Sequence, residues 1–183
     1  MDPFSHVSQH LCYSPTNLPG PGCDKSALET SLVGCDCLTS CSNHCSHLIH
    51  YGEQYLLGKL IVTNDGYHRP VVECNGNCHC EQSRCDNRVV QKGPCPSLKV
   101  MKVGNKGWGV IAGVDMTIGD FVCEYAGEII GETEAKFRSR NEKDGQGNYI
   151  MVLKEYSGRN LVQKTIVDPT GDYWKLHYYI YGN

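Results

Sequence analysis

Cys35-Asp36-Cys37-Leu38-Thr39-Ser40-Cys41-Ser42-Asn43-His44-Cys45-Ser46-His47 and Cys74-Asn75-Gly76-Asn77-Cys78-His79-Cys80-Glu81-Gln82-Ser83-Arg84-Cys85 are the two stretches that decide how this chain is built. They hold eight of its 12 cysteines and flank a cysteine-free stretch from Ser46 to Glu73. A C-x-C pair is too short for the usual C-x2-C knuckle, in which two sulfurs of one turn grip one zinc. Thiols two residues apart point to different faces and suit neighbouring ions. Two such clusters therefore predict a polynuclear zinc core with bridging thiolates. Disulfides are the alternative. The opening Met1-Asp2-Pro3-Phe4-Ser5-His6 lacks the basic patch and apolar run of a secretory signal, so metal is the better default.

Stoichiometry sharpens the expectation. Three tetrahedral ions need twelve bonds, and nine ligands supply them when three bridge. Cys35, Cys37, Cys41, Cys45, Cys74, Cys78, Cys80 and Cys85 provide eight. The ninth place is best filled by His47, which follows Cys45 at the C-x-C spacing. An imidazole nitrogen cannot bridge, so His47 takes a single-bond place. Cys23, in a Pro- and Gly-rich arm, is the competing ninth ligand. His44 and His50 read as surface residues.

Outward from the clusters, composition sets bounds. The 183 residues are 40% apolar and 20% charged, enough to bury a core. A net charge of -3 removes a strongly basic nucleic-acid footprint, and no apolar run approaches the roughly 18 residues of a membrane span. Residues 1–33, with Ser14-Pro15-Thr16-Asn17-Leu18-Pro19-Gly20-Pro21-Gly22, read as an extended, turn-rich arm. Residues 34–92 form the metal-stapled module.

After Gly93 the texture turns to strands. Leu98 to Val103, Trp108 to Val114, Phe121 to Tyr125, Tyr149 to Leu153 and Leu161 to Val167 have strand composition. The last two are joined near Ser157-Gly158 as a hairpin. Glu132 to Arg140 has helix-forming composition, with Ala135 its inward residue. Glu124, Glu128, Glu132 and Glu134 fall close together and read as solvated surface carboxylates. The fold class is mainly β with few helices.

The cysteine clusters, followed at once by Asn87-Arg88-Val89-Val90-Gln91-Lys92-Gly93, resemble the pre-SET module of SET-domain histone-lysine methyltransferases. Lys106-Gly107-Trp108-Gly109-Val110, Phe121-Val122-Cys123-Glu124-Tyr125-Ala126-Gly127-Glu128, Asn148-Tyr149-Ile150 and Val167-Asp168-Pro169-Thr170 then follow in that family's order. The wording is similar to the methyltransferase part of SETMAR-like proteins, from about Gly34 to Thr170. The resemblance implies small curved sheets and transfer of a methyl group from S-adenosylmethionine to a lysine of the histone H3 tail. It also implies a nuclear, chromosomal setting. Lys106, Gly107, Trp108 and Tyr149 are the implied cofactor-binding residues, and Tyr125 and Tyr149 the implied catalytic ones.

Two departures are legible. The Cys80–Cys85 spacer is one residue longer than the usual family spacing. After residues 93–170, the N-terminal part of a SET domain, the chain reads Gly171-Asp172-Tyr173-Trp174-Lys175-Leu176-His177-Tyr178-Tyr179-Ile180-Tyr181-Gly182-Asn183, an aromatic tail without the family's Asn-His-Ser-Cys segment or cysteine-rich post-SET region. On this reading the SET domain is incomplete. The 183 residues alone are expected to transfer no methyl group and to bind S-adenosylmethionine weakly. The alternative is a catalytically inactive zinc module that binds chromatin proteins or competes with a full-length enzyme.

Overall fold

The computed structural model describes residues 16–28, 32–62, 70–106, 108–141, 149–170 and 179–180. The chain divides into two compact units. One is drawn from Thr30–Leu98 and Ala112–Cys123, the other from Met1–Glu29, Lys99–Ile111 and Glu124–Asn183.

The cysteine-bearing unit has little regular structure, because its segments are short, rich in Gly and Asn, and lack apolar periodicity. It holds helix α1 (Ser46–Tyr51) and a hairpin of β2 (Tyr55–Leu56) with β3 (Lys59–Leu60). Sulfur replaces hydrocarbon at its centre: Cys35, Cys45, Cys74, Cys80 and Cys85 are buried together, with Cys37, Cys41, Cys78 and Leu48 packed against them. The hairpin is sewn to the later segment by Leu60 N–H to Gly119 O at 2.8 Å and by Lys59 Nζ to Asp120 Oδ1 at 2.8 Å.

The other unit is built on a long hairpin. β7 (Met151–Ser157) pairs antiparallel with β8 (Asn160–Asp168) through the loop Gly158-Arg159. Gly158 has φ +60° and Arg159 does not share a positive φ, the pattern of a two-residue type II′ turn with glycine first. The hairpin expected near Ser157-Gly158 is therefore present. β6 (Glu128–Ile129) adds antiparallel to β8, and β1 (Leu18–Pro19) adds parallel to β6, giving the order β1-β6-β8-β7. Ile129, Ile130, Ile166 and Val167 form the buried apolar centre. A second sheet has the order β4 (Leu98–Lys102), β5 (Trp108–Ala112), β9 (Tyr179–Ile180).

Helix α2 (Glu132–Arg140) has the limits expected from composition. Glu132 and Glu134 in its first turn and Arg138 and Arg140 in its last complement the helix dipole. Ala135 is half-buried, and no residue of α2 is fully buried.

Two expectations change. Among the described residues Phe121–Tyr125 forms no ladder; Cys95 N–H donates to Val122 O at 2.9 Å. Strand composition forms a ladder only where a partner strand lies alongside, and none of the three sheets includes this segment. The arm, in contrast, is partly strand. Leu18 N–H donates to Gly127 O and Gly20 N–H to Ile129 O, both at 2.9 Å. Pro19, which has no N–H, falls between these donors, the edge position that proline tolerates.

Candidate metal centre and candidate catalytic site

The two cysteine clusters converge. Three four-residue groups each bring one ligand atom per residue to within 4.8 Å of one another: Cys35, Cys37, Cys41, Cys45; Cys35, Cys41, Cys74, Cys80; and Cys35, His47, Cys74, Cys78. The Sγ atoms of Cys35 and Cys41 are 3.7 Å apart, and those of Cys41 and Cys74 are 3.3 Å apart. Cys85 lies 3.6 Å from Cys41 and 3.9 Å from Cys74. A tetrahedral zinc with ordinary Zn–S bonds sets its sulfurs about 3.8 Å apart. The donor set is soft and nearly all thiol, so it fits zinc and not a hard cation.

The longer Cys80–Cys85 spacer is absorbed locally. Residues 82–84 turn, and Cys85 N–H donates to Glu81 O at 2.9 Å, which returns Cys85 to the cluster with no exposed surface. His47 is also in the cluster: 5% exposed, with Nδ1 3.7 Å from Cys74 Sγ and 3.9 Å from Cys78 Sγ. The competing ligand Cys23 donates its thiol to Asp24 O at 3.4 Å and joins none of the converging groups among the described residues. His44 and His50 are exposed, as expected.

The electrostatics single out three sulfurs. Burial pushes the Cys35 thiol up to about 12. Burial also raises Cys41 and Cys74, and at Cys41 the surrounding sulfurs add to the effect. Cys45 is buried too, yet the N–H groups of Leu48 and His47 at the start of α1 hold it below the ordinary thiol value. Cys85 is lowered in the same way by N–H groups that outweigh its burial. The thiols hardest to ionise, Cys35, Cys41 and Cys74, are those that recur in more than one converging group. Burial favours the neutral form of such thiols unless a nearby cation offsets it.

Sequence reading passed over the polar groups that hold the cluster. Arg88, 4% exposed, directs Nη2 to Cys80 Sγ at 3.5 Å and to Asn75 O at 2.9 Å, and Nη1 to Gln91 Oε1 at 2.6 Å. Asn87 Nδ2 donates to Cys74 Sγ at 3.6 Å and to Val72 O at 3.2 Å. Glu73 accepts from Val89 N–H, Val90 N–H, the Tyr55 hydroxyl and Gln91 Nε2. Burial alone would raise its carboxyl, but these donors hold it below the usual carboxylate range. The available signal was position: Glu73 immediately precedes Cys74, and Asn87 and Arg88 follow Cys85 by two and three residues.

In the other unit, the Tyr125 hydroxyl donates to the Tyr149 carbonyl oxygen at 2.7 Å. Tyr125 is raised above the ordinary phenol value, first by burial and then by the negative charge of Asp168. Asp168 has no exposed surface; it accepts from Arg138 Nη1 at 2.8 Å and from the amide and hydroxyl of Thr170. Arg138 Nη1 also lies 2.7 Å from Glu128 Oε2, as a close ion pair without hydrogen-bond alignment, and its Nε lies 2.7 Å from Glu134 Oε1. Asn17 clamps the arm: its Nδ2 donates to Glu124 Oε1 at 2.7 Å, and its Oδ1 accepts from Gly127 N–H at 3.0 Å. The acidic residues expected to be solvated are thus paired, Glu132 included, with Lys136 at 3.0 Å and Lys164 at 3.1 Å. Gly107, Asn148, residues 171–178 and 181–183, and the side chains of Lys106 and Trp108 lie outside the described residues.

A thiol-lined module able to hold metal, followed by small sheets, is the arrangement of a pre-SET and SET-domain protein, and residues 2–88 match the Pre-SET motif family. The chain is a SET-domain protein with a pre-SET module, and it is similar to histone-lysine methyltransferases. It is 40% identical over 161 residues to the probable histone-lysine N-methyltransferase set-23 of Caenorhabditis elegans, covering 84% of this chain and 64% of that protein. It is 36% identical over 162 residues to the histone-lysine N-methyltransferase SETMAR of Homo sapiens, covering 86% of this chain and 24% of that protein. The crystal structure of the methyltransferase domain of human SETMAR superposes with a TM-score of 0.74 at 37% identity, over 92% of this chain and 60% of that one. The chain thus spans less than two thirds of these relatives.

Proposed function

We propose that the chain is the zinc module, residues 34–92, and the first part of the SET domain, residues 93–170, of a histone-lysine N-methyltransferase acting on histone H3 in the nucleus, on chromosomes. The observation that carries this reading is the Tyr125–Tyr149 hydrogen bond in a SET-type fold. S-adenosylmethionine supplies the methyl group. Lys106, Gly107, Trp108 and Tyr149 are the residues assigned to hold it. The substrate amine, with a reference pKa near ~10.4, must be neutral to react, and an aromatic channel disfavours the ammonium by desolvation. With its proton committed to Tyr149 O, the Tyr125 oxygen keeps its lone pairs to accept an N–H from that amine.

The module is proposed to hold three zinc ions: one on Cys35, Cys37, Cys41 and Cys45, one on Cys41, Cys74, Cys80 and Cys85, and one on Cys35, Cys74, Cys78 and His47. Cys35, Cys41 and Cys74 then bridge, and these are the thiols that burial raises. Eight thiolates and three divalent ions leave a cluster charge of about -2, which the buried Arg88 partly offsets.

The test uses native protein recovered from its own cells with an antibody against residues 34–92, assayed for methyl transfer from labelled S-adenosylmethionine to histone H3 and for zinc content. Transfer that Tyr149→Phe abolishes is the expected result. Zinc near three per chain with no transfer would instead favour the inactive chromatin-binding module.

A further inference from the structure

The strongest unassigned feature is how His47 is held. Its Nε2 lies 2.7 Å from the Val33 carbonyl oxygen. A carbonyl carries no proton, so Nε2 must donate, and a neutral imidazole then has its lone pair on Nδ1. That lone-pair atom is the one 3.7 Å from Cys74 Sγ and 3.9 Å from Cys78 Sγ. Zinc with ordinary bond lengths places a sulfur and a nitrogen about 3.6 Å apart. The Val33 carbonyl thus fixes the tautomer that a ligand needs, the role that partners of metal-bound histidines play.

The same carbonyl belongs to a segment fastened at several points. Asn77 Nδ2 donates to Leu32 O at 3.1 Å, and His79 N–H donates to Cys35 O at 2.9 Å. A Cβ on Gly34 would overlap the Asn77 carbonyl, so only glycine allows this approach. Cys35 and His47 are both donors of one converging group. An ion there would tie Leu32–Cys35 to the module at both ends, through the Cys35 sulfur and through His47 to Val33.

We infer that one of the cluster's ions occupies a three-sulfur, one-nitrogen site in which His47 Nδ1 is the nitrogen ligand, and that this ion fastens Leu32–Cys35 to the module. The other two ions are held by sulfur alone. A neutral imidazole brings less charge to the metal than a thiolate, so the mixed site releases its ion first. This assignment rests on the three-ion cluster proposed for the module.

The experiment loads the 183-residue chain with cadmium-113 and records cadmium and nitrogen-15 NMR spectra, with ions counted by native mass spectrometry. The expected result is two signals in the all-sulfur range, one displaced in the direction of nitrogen ligation, and a scalar coupling of that third cadmium to His47 Nδ1. His47→Ala should bind two ions and exchange the His79 amide at least tenfold faster. His47→Cys should bind three ions with every signal in the all-sulfur range. Three all-sulfur signals in the wild type, coupling to Nε2, or three ions retained by His47→Ala would overturn the ligand assignment. An unchanged His79 exchange rate in a two-ion His47→Ala would overturn the fastening. A wild-type count below three would instead overturn the parent cluster, and the wild-type spectra answer even if His47→Ala does not fold.

Discussion

The Tyr125 hydroxyl and the Tyr149 carbonyl oxygen stand 2.7 Å apart, with the phenol donating. Tyr125 thereby spends its only proton on the backbone of Tyr149, the other residue proposed to be catalytic. For the proposed methyltransferase activity, Tyr125→Phe is expected to lower kcat about 10- to 100-fold, in line with loss of a positioned polar group, with a smaller effect on KM. Burial and the Asp168 charge raise the Tyr125 phenol. Its contribution to folding is therefore present below the unfolded value near ~10 and is lost as pH rises through the higher folded value. A phenolate absorbance titration in which Tyr125→Phe removes no late-titrating group would contradict this.

Metal removal should act on folding first. The buried centre of the cysteine-bearing unit consists of Cys35, Cys45, Cys74, Cys80 and Cys85, and thiols without cations supply little cohesion. Chelation under reducing conditions is expected to unfold this unit cooperatively, because binding free energy of this kind is folding free energy. Circular dichroism and hydrogen exchange should show loss of protection at Cys74 N–H and His79 N–H, both bonded to backbone carbonyls of the unit. Retained protection after complete zinc loss would rule out a metal-built core.

Glu73 gives a pH-dependent test. Its folded carboxyl is held below the usual range by four donors despite burial. The stabilisation it brings is complete above the unfolded value near ~4.3 and disappears as pH falls through the lower folded value. Glu73→Gln should cost about 2 kcal/mol at pH 7, the scale of hydrogen bonds to a charged group. Urea denaturation at fixed free zinc should show the gap between the two proteins shrinking as pH falls towards 4. A constant gap would mean that the charge contributes nothing.

Arg138 neutralises a carboxylate that has no exposed surface. Arg138→Met leaves Asp168 buried without its cation, a change expected to cost about 3–5 kcal/mol. Adding Asp168→Asn should recover part of that loss, since the uncompensated charge is then gone. Equal stability of the single and double variants would show that Asp168 finds another partner.

The β2–β3 turn carries a residue in an unfavourable conformation. Leu57 has φ +53° and is 94% exposed, and Gly58 follows with φ +78°, the two positive angles of a type I′ turn. Leu57→Asn should stabilise the cysteine-bearing unit by roughly 0.5–1 kcal/mol, since asparagine accepts this region more readily. A lowered Tm would indicate that the exposed leucine has a packing role.

Much of this was legible in residue spacing. The two cysteine clusters with His47, the Ser157-Gly158 hairpin and the helix from Glu132 to Arg140 each depend on residues near one another in the chain. Phe121–Tyr125 misled because strand composition says nothing about whether a partner strand lies alongside. The docking of the arm was not legible because its partners are remote: Asn17 meets Glu124 across 107 positions. The roles of Glu73 and Arg88 were hidden for the same reason, as their residue types are usually solvent-facing.

By itself the sequence determined the spacing of the cysteines, the Ser157-Gly158 hairpin, the helix from Glu132 to Arg140 and the order of family motifs, since covalent spacing and local backbone preference act over a few residues. Which sulfurs stand at the centre was decided only by tertiary structure. Cys41 and Cys74 are 33 positions apart, yet their sulfurs come within 3.3 Å. The tautomer of His47 was likewise set by a carbonyl 14 positions earlier in the chain. Contacts of this kind form only when the folded chain closes long loops, whose entropy depends on length and not on residue identity.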